Sequence, residues 1–141
     1  MNRPAIACVM MLTALIAGCA PAPGLAVRCQ AAVGRPMLVF DLFFGRAIPE
    51  RGDLTDAEWR RFQDAVVTPN LPNGYTVFDA SGAWMNPMTR KTIQETTKVL
   101  IAALPDDPGS QAAIDRIRSA YQTQFHQQLV GMTVQPGCGA F

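Results

Sequence analysis

Met37-Leu38-Val39-Phe40-Asp41-Leu42-Phe43-Phe44-Gly45 is the stretch whose reading decides the fold. It is dense in aromatic and aliphatic side chains that suit a pleated surface. Alternation puts Leu38, Phe40, Leu42 and Phe44 on one face and Val39, Asp41 and Phe43 on the other. A carboxylate at the middle of the second face means that the first packs against the main core. The α+β class itself follows from the order of the elements around this strand.

Toward the C-terminus, Gly45 to Asp53 reads as loop, with Pro49 and two glycines. Leu54-Thr55-Asp56-Ala57-Glu58-Trp59 then has the chemistry of a helix start. Thr55 is the N-cap, Glu58 completes a capping box, and Leu54 can staple onto Trp59. Trp59, Phe62 and Val66 form the apolar stripe, and Pro69 places the helix end near Thr68. Tyr75 to Met85 reads as a second strand with a bulge or turn at Ser81-Gly82. Lys91 to Leu104 is a third strand, because its threonines and Val99 favour strand over helix. Asp107-Pro108 reads as N-cap and first turn of a second helix, whose stripe is Ile114, Ile117, Tyr121 and Phe125. Leu129 to Gln135 is the last strand. The order β-α-β-β-α-β is that of the ferredoxin-like fold, a four-stranded antiparallel sheet with both helices on one face.

Toward the N-terminus the chain changes character. Arg3, an apolar run from Ala5 to Leu15 and then small residues have the three parts of a secretory signal. The run is too short to span a bilayer, which takes about 20 apolar residues. Where a simple signal ends in A-x-A, this one reads Ile16-Ala17-Gly18-Cys19, which resembles the bacterial lipobox. The resemblance implies a signal over residues 1–18, cleavage before Cys19, and a diacylglyceryl group on its thiol with further acylation, palmitate included. Several acyl chains hold a soluble domain at a membrane where one does not. The residue after Cys19 is Ala20 rather than aspartate, which points to the outer membrane, facing the periplasm. Residues 19–35 are then the lipidated cysteine and a tether, and residues 36–141 a single domain.

The 141 residues carry 12 basic and 11 acidic side chains. Such balance, without a basic cluster, leaves no electrostatic footprint for nucleic acid. Of the four cysteines, Cys8 leaves with the signal and Cys19 takes lipid. Cys29 and Cys138 remain as a pair in an oxidising compartment, so a disulfide is expected. In the expected topology the first and last strands are antiparallel neighbours, which brings both cysteines to one sheet end.

Sites are harder to read. If Val99 and Ile101 face the helices, Lys98 shares the open face with Asp41, and the two can orient a small ligand inside an apolar surround. The bland alternative is a cross-strand ion pair on a wet face, about 1 kcal/mol or less. By parity Glu95 lies opposite Lys98 unless the strand bulges, and neither Glu95 nor Asp79 converges on Asp41 for acid–base work. His126 reads as a surface residue in the last turn of a helix, favourable to the dipole when charged. One histidine and two paired cysteines make no transition-metal set. No nucleophile motif and no phosphate loop is present. Trp59 and Trp84 read as core anchors. No catalytic residue, metal or cofactor is therefore assigned.

The segment Asp41-Leu42-Phe43-Phe44-Gly45, then Trp59, Thr68-Pro69, Gly74-x-Thr76, Gly82-x-Trp84 and Glu95-x-x-Lys98, is similar to a bacterial lipoprotein family. That family is the domain of unknown function numbered three-five-seven-four. The resemblance covers roughly residues 36 to 138 and implies export. It implies no activity, but it marks Glu95 and Lys98 as residues to examine, with a bulge in the third strand as the way to bring them together. The candidate binding face is thus Asp41, Glu95 and Lys98. The functional expectation is a non-catalytic binding or structural module tethered to an envelope membrane, with an envelope protein or a second copy as partner. The alternative is a cofactor-independent small-molecule enzyme working on the open sheet face of a dimer.

Overall fold

The computed structural model describes Cys29 and residues 34–140. The signal, Cys19 and most of the tether lie outside the described residues. Among the described residues the elements follow in order: β1 (Arg35–Gly45), β2 (Ala47–Ile48), β3 (Gly52–Asp53), α1 (Asp56–Phe62), a π turn (Gln63–Val67), α2 (Thr68–Asn70), β4 (Thr76–Met85), β5 (Thr92–Leu104), α3 (Pro108–Phe125) and β6 (Gly131–Gly139). The main sheet is antiparallel with order β4-β5-β1-β6, and β2 and β3 form a small hairpin of their own. This is the ferredoxin-like arrangement expected from the strand and helix order.

β1 is central because both of its faces and both of its edges are used. It runs against β5 from Leu38–Leu104 to Gly45–Thr97, and against β6 from Arg35–Gly139 to Phe43–Gly131. Phe40, Leu42 and Phe44 are fully buried against the helices. Asp41 is on the open face, where its Oδ2 accepts a hydrogen bond from Thr133 Oγ1 at 2.9 Å. Leu100, Ala102 and Leu104 of β5 join the same core, with Ile114, Ile117, Tyr121 and Phe125 from α3. At its centre Phe44 packs on Trp59, Phe62 and Tyr121, with ring centroids 5.2, 6.2 and 4.8 Å away and planes steeply inclined. Such edge-to-face contacts add to the area term, itself about 1.5–3 kcal/mol per fully buried large side chain.

α1 begins as its sequence dictates. Thr55 accepts from the Glu58 backbone N–H, and Glu58 accepts in return from Thr55 N at 2.9 Å. The helix does not end near Thr68, however. It passes through a π turn, Gln63–Val67, into α2, with Pro69 inside. The change in hydrogen-bond pattern places proline in a first turn, where it has no N–H to lose. Asn70 Nδ2 donates to Val66 O at 2.8 Å, a side-chain bond back to the preceding turn.

The second strand also differs from expectation. β4 is continuous from Thr76 to Met85, and its register with β5 runs unbroken from Thr76–Ile101 to Met85–Thr92. There is no bulge at Ser81-Gly82, and none in the third strand either. The last strand starts at Gly131 and continues past Gln135 to Gly139.

Cys29 and Cys138 sit at the same end of the sheet, with Cα atoms 5.1 Å and sulfur atoms 2.09 Å apart across 109 residues of sequence. Among the described residues no helix is long and apolar enough to cross a membrane.

Candidate functional site

Two neighbourhoods hold the chemistry, one on each face of the sheet. The first surrounds Lys98. It pairs across the sheet with Phe44 on one side and Asp79 on the other, so it faces the helices rather than the open side. The expectation that Lys98 joins Asp41 is therefore corrected. β5 is apolar without a break from Val99 to Leu104, and Leu100, Ala102 and Leu104 take the core positions. That parity sends Lys98 inward with them. Its side chain is only 8% exposed, and Nζ lies 3.0 Å from Asp56 Oδ1 and 2.5 Å from Asp79 Oδ1. Arg46 reaches the same two carboxylates at 3.3 and 3.7 Å. Its guanidinium also donates to Leu54 O, through Nε at 2.8 Å and through Nη2.

Burial alone would lower the Lys98 pKa. The hydrogen bonds and charges of Asp79 and Asp56 outweigh it, and the net direction is upward. The same contact, first the Lys98 hydrogen bond and then the Lys98 and Arg46 charges, holds Asp56 below its ordinary value. Two cations and two acids thus satisfy each other. The cluster ties the segment flanking the β2–β3 hairpin, the start of α1 and strands β4 and β5 together.

The second neighbourhood is a cleft of about 590 Å³ at one end of the open face. Its floor is strand: Phe43 and Gly45 of β1, Ile93, Glu95 and Thr97 of β5, Gly131 of β6. Trp84 of β4 stands at one side. The other walls are two connections that wrap the end of the sheet, Ala47–Pro49 and the stretch from His126 to Leu129. Gln127 Nε2 donates to Ala47 O at 2.7 Å and fastens these walls to each other. His126 sets the second wall's direction, because it closes α3 in the left-handed conformation with φ 53°.

Glu95 is the acid of this cleft. Its carboxylate lies over Gly45, where a Cβ would come within 2.9 Å of Oε1. Gly45 is bare on that side and pinned on the other, since Tyr121 donates its hydroxyl to Gly45 O at 2.8 Å. Desolvation first, and the charge of Asp53 second, push the Glu95 carboxyl above its ordinary value. Among the described residues Glu95 has no hydrogen-bonding partner and no counter-cation.

Of the three residues of the candidate face, then, Asp41 and Glu95 share the open side and Lys98 does not. Asp41 stands opposite Ile101, six residues along β5 from Glu95. At about 3.3 Å per residue that is roughly 20 Å, so the two acids do not act together. Trp84 is corrected as well: it is 42% exposed and walls the cleft instead of anchoring the core, whereas Trp59 is buried as expected. Phe43, Trp84 and His126 were not legible as a set. The nearest signal was the family pattern, in which Gly45, Trp84 and Glu95 all appear. His126 is exposed, as read, but faces the cleft from the helix end. No group of three or more metal-ligating side chains occurs among the described residues.

The fold and the cleft define a small α+β domain of ferredoxin-like topology with one sheet face free of packed helices. The chain belongs to the family described as "Protein of unknown function (DUF3574)", whose model matches residues 40–141. No curated protein matches it. Among solved structures it is similar to a phage SAM lyase in complex with S-methyl-5'-thioadenosine, with 10% identity and a TM-score of 0.58 over 70% of this chain and 80% of that one. The same lyase in its apo state gives 11% identity and a TM-score of 0.52 over 72% and 81%. CutA from Synechococcus elongatus gives 12% identity and a TM-score of 0.48 over 73% and 78%. At these identities the likeness to the lyase is one of fold.

Proposed function

We propose that this chain is a lipid-anchored protein of the bacterial cell envelope whose domain binds a small molecule in the cleft on the helix-free sheet face. The cleft is the observation that carries the reading. Its volume is within the range of about 300–1,000 Å³ common for small-molecule sites. Its walls are mostly apolar, with a few polar groups, Glu95, Thr97 and His126 among them, to orient a ligand. The anchor rests on the lipobox-like Ile16-Ala17-Gly18-Cys19 after a short apolar signal. Cys19 carries the lipid in this reading, and the periplasmic side of the outer membrane is the location it favours.

The binding role stands ahead of catalysis. An enzyme using Asp41 with Lys98 lacks its pair, because the two side chains lie on opposite faces. The reading is tested in two parts. Cells fed a labelled palmitate are expected to label the wild-type chain and leave Cys19→Ser unlabelled; label retained in that variant removes the anchor. A thermal-unfolding screen of small molecules is expected to find compounds that raise the Tm of wild type but not of Trp84→Ala. Stabilisation that survives this change removes the cleft as the binding place.

A further inference from the structure

Among the described residues, the Glu95 carboxylate of the cleft has neither a hydrogen-bonding partner nor a counter-cation. Elsewhere the molecule pairs its partly buried charges with care: Lys98 and Arg46 with Asp56 and Asp79, Arg51 with Glu58. Glu95 has no such partner among the described residues. The charge that acts on it most is another acid, Asp53. The ionisable groups lining the cleft are Glu95 and His126, and they do not form an ion pair. Trp84, Phe43 and Ile93 line the same cleft.

We infer that the cleft takes an organic cation, whose ammonium group meets the Glu95 carboxylate and whose apolar body lies against Trp84 and Phe43. The inference rests on the reading of the cleft as a small-molecule site and names the class of its ligand. An anion would meet an uncompensated negative charge. A neutral apolar ligand would strip water from the carboxylate and give nothing back. A cation supplies the missing partner, and the partly buried setting makes the attraction stronger than in bulk water. Trp84 and Phe43 add to this, since aromatic faces attract positive charge. The absent side chain of Gly45 makes room for the carboxylate where it lies.

The test compares protonated phenethylamine with the uncharged 2-phenylethanol, titrated into the full-length protein in a nonionic detergent and followed by tryptophan fluorescence. The amine is expected to bind at least about tenfold more tightly, the factor that a charge-assisted hydrogen bond supplies. Glu95→Gln is expected to erase that difference. Gly45→Ala, which displaces the carboxylate, is expected to reduce the ratio of amine to alcohol affinity. Equal binding of amine and alcohol overturns the cation and leaves the cleft as a small-molecule site. Binding of neither at millimolar concentration overturns both. Amine preference undiminished in a folded Glu95→Gln overturns the role of Glu95. Should that variant not fold, the ratio in wild type and in Gly45→Ala decides.

Discussion

At the scale of the residue, Glu95 is a liability to the fold that the cleft retains. Its carboxyl has a raised pKa, so the charged form is disfavoured in the folded state. The sign follows from linkage. Above the folded-state value the group is ionised in both states and the destabilisation is complete. As the pH falls from that value toward the ordinary 4.5, the folded chain takes up its proton first and the penalty disappears. Glu95→Gln is therefore expected to raise the Tm at neutral pH, by a free energy below about 1 kcal/mol after solvent screening. The gain is expected to vanish below pH 4.5, and thermal unfolding followed across pH 3–8 checks both. A variant less stable than wild type at pH 7 contradicts the argument. Lys98 shows why a side chain's face was harder to read than its strand. Along Val99-Leu100-Ile101-Ala102-Ala103-Leu104 every residue is apolar, so alternation carries no information about which set meets the helices. The helices chose the even-numbered set, and the lysine followed.

At the scale of the element, what was legible was local. Thr55 and Glu58 announced the start of α1, and the structure closes the capping box they imply. Bonds from the Thr55 backbone and hydroxyl, then from Arg51, hold the Glu58 carboxyl down to about 2. Its contribution is present above the ordinary value of 4.5 and is lost only as the pH falls through about 2. Thr55→Ala is expected to cost about 1 kcal/mol, read as a lower midpoint in urea unfolding. An unchanged midpoint denies the cap its role. The far end of α3 makes the opposite prediction. His126 holds φ at 53°, a conformation that costs a side chain about 1–2 kcal/mol. His126→Gly is expected to stabilise the fold by roughly 0.5–1 kcal/mol after the entropy of glycine is counted. A loss of stability would mean that the imidazole makes up the difference by its contacts. What was not legible at this scale was the helix passing Pro69. That required a π turn, whose hydrogen bonds skip one residue further than any sequence period marks.

At the scale of the whole molecule, the sheet order was readable because β1 states its two faces so clearly and because two cysteines flank the domain. The cleft was not, because it has no sequence of its own. It is assembled from the adjoining parts of β1, β5 and β6, the loop after α3 that is tied to Ala47, and a tryptophan from β4, two places from β1. Trp84 looked like core because a large aromatic in a strand usually is. It lies instead where β4 and β5 outrun β1, with Thr92 to Glu95 paired only to β4. The cysteine pair gives the global prediction. Mass analysis without reductant is expected to find the protein two hydrogens lighter than after reduction. Reduction is expected to lower stability by about 4–5 kcal/mol on the chain-entropy account. Equal masses would leave both thiols free.

The position of that pair has a mechanical consequence. Tension arriving through the residues ahead of Cys29 reaches a cross-link to Cys138 before it reaches the hydrogen bonds of β1. The pull is then divided between two adjacent strands, β1 and β6, which run in opposite directions and are stapled at the same end. Under the proposed anchor, load on the N-terminal side does not peel the domain from its first strand alone.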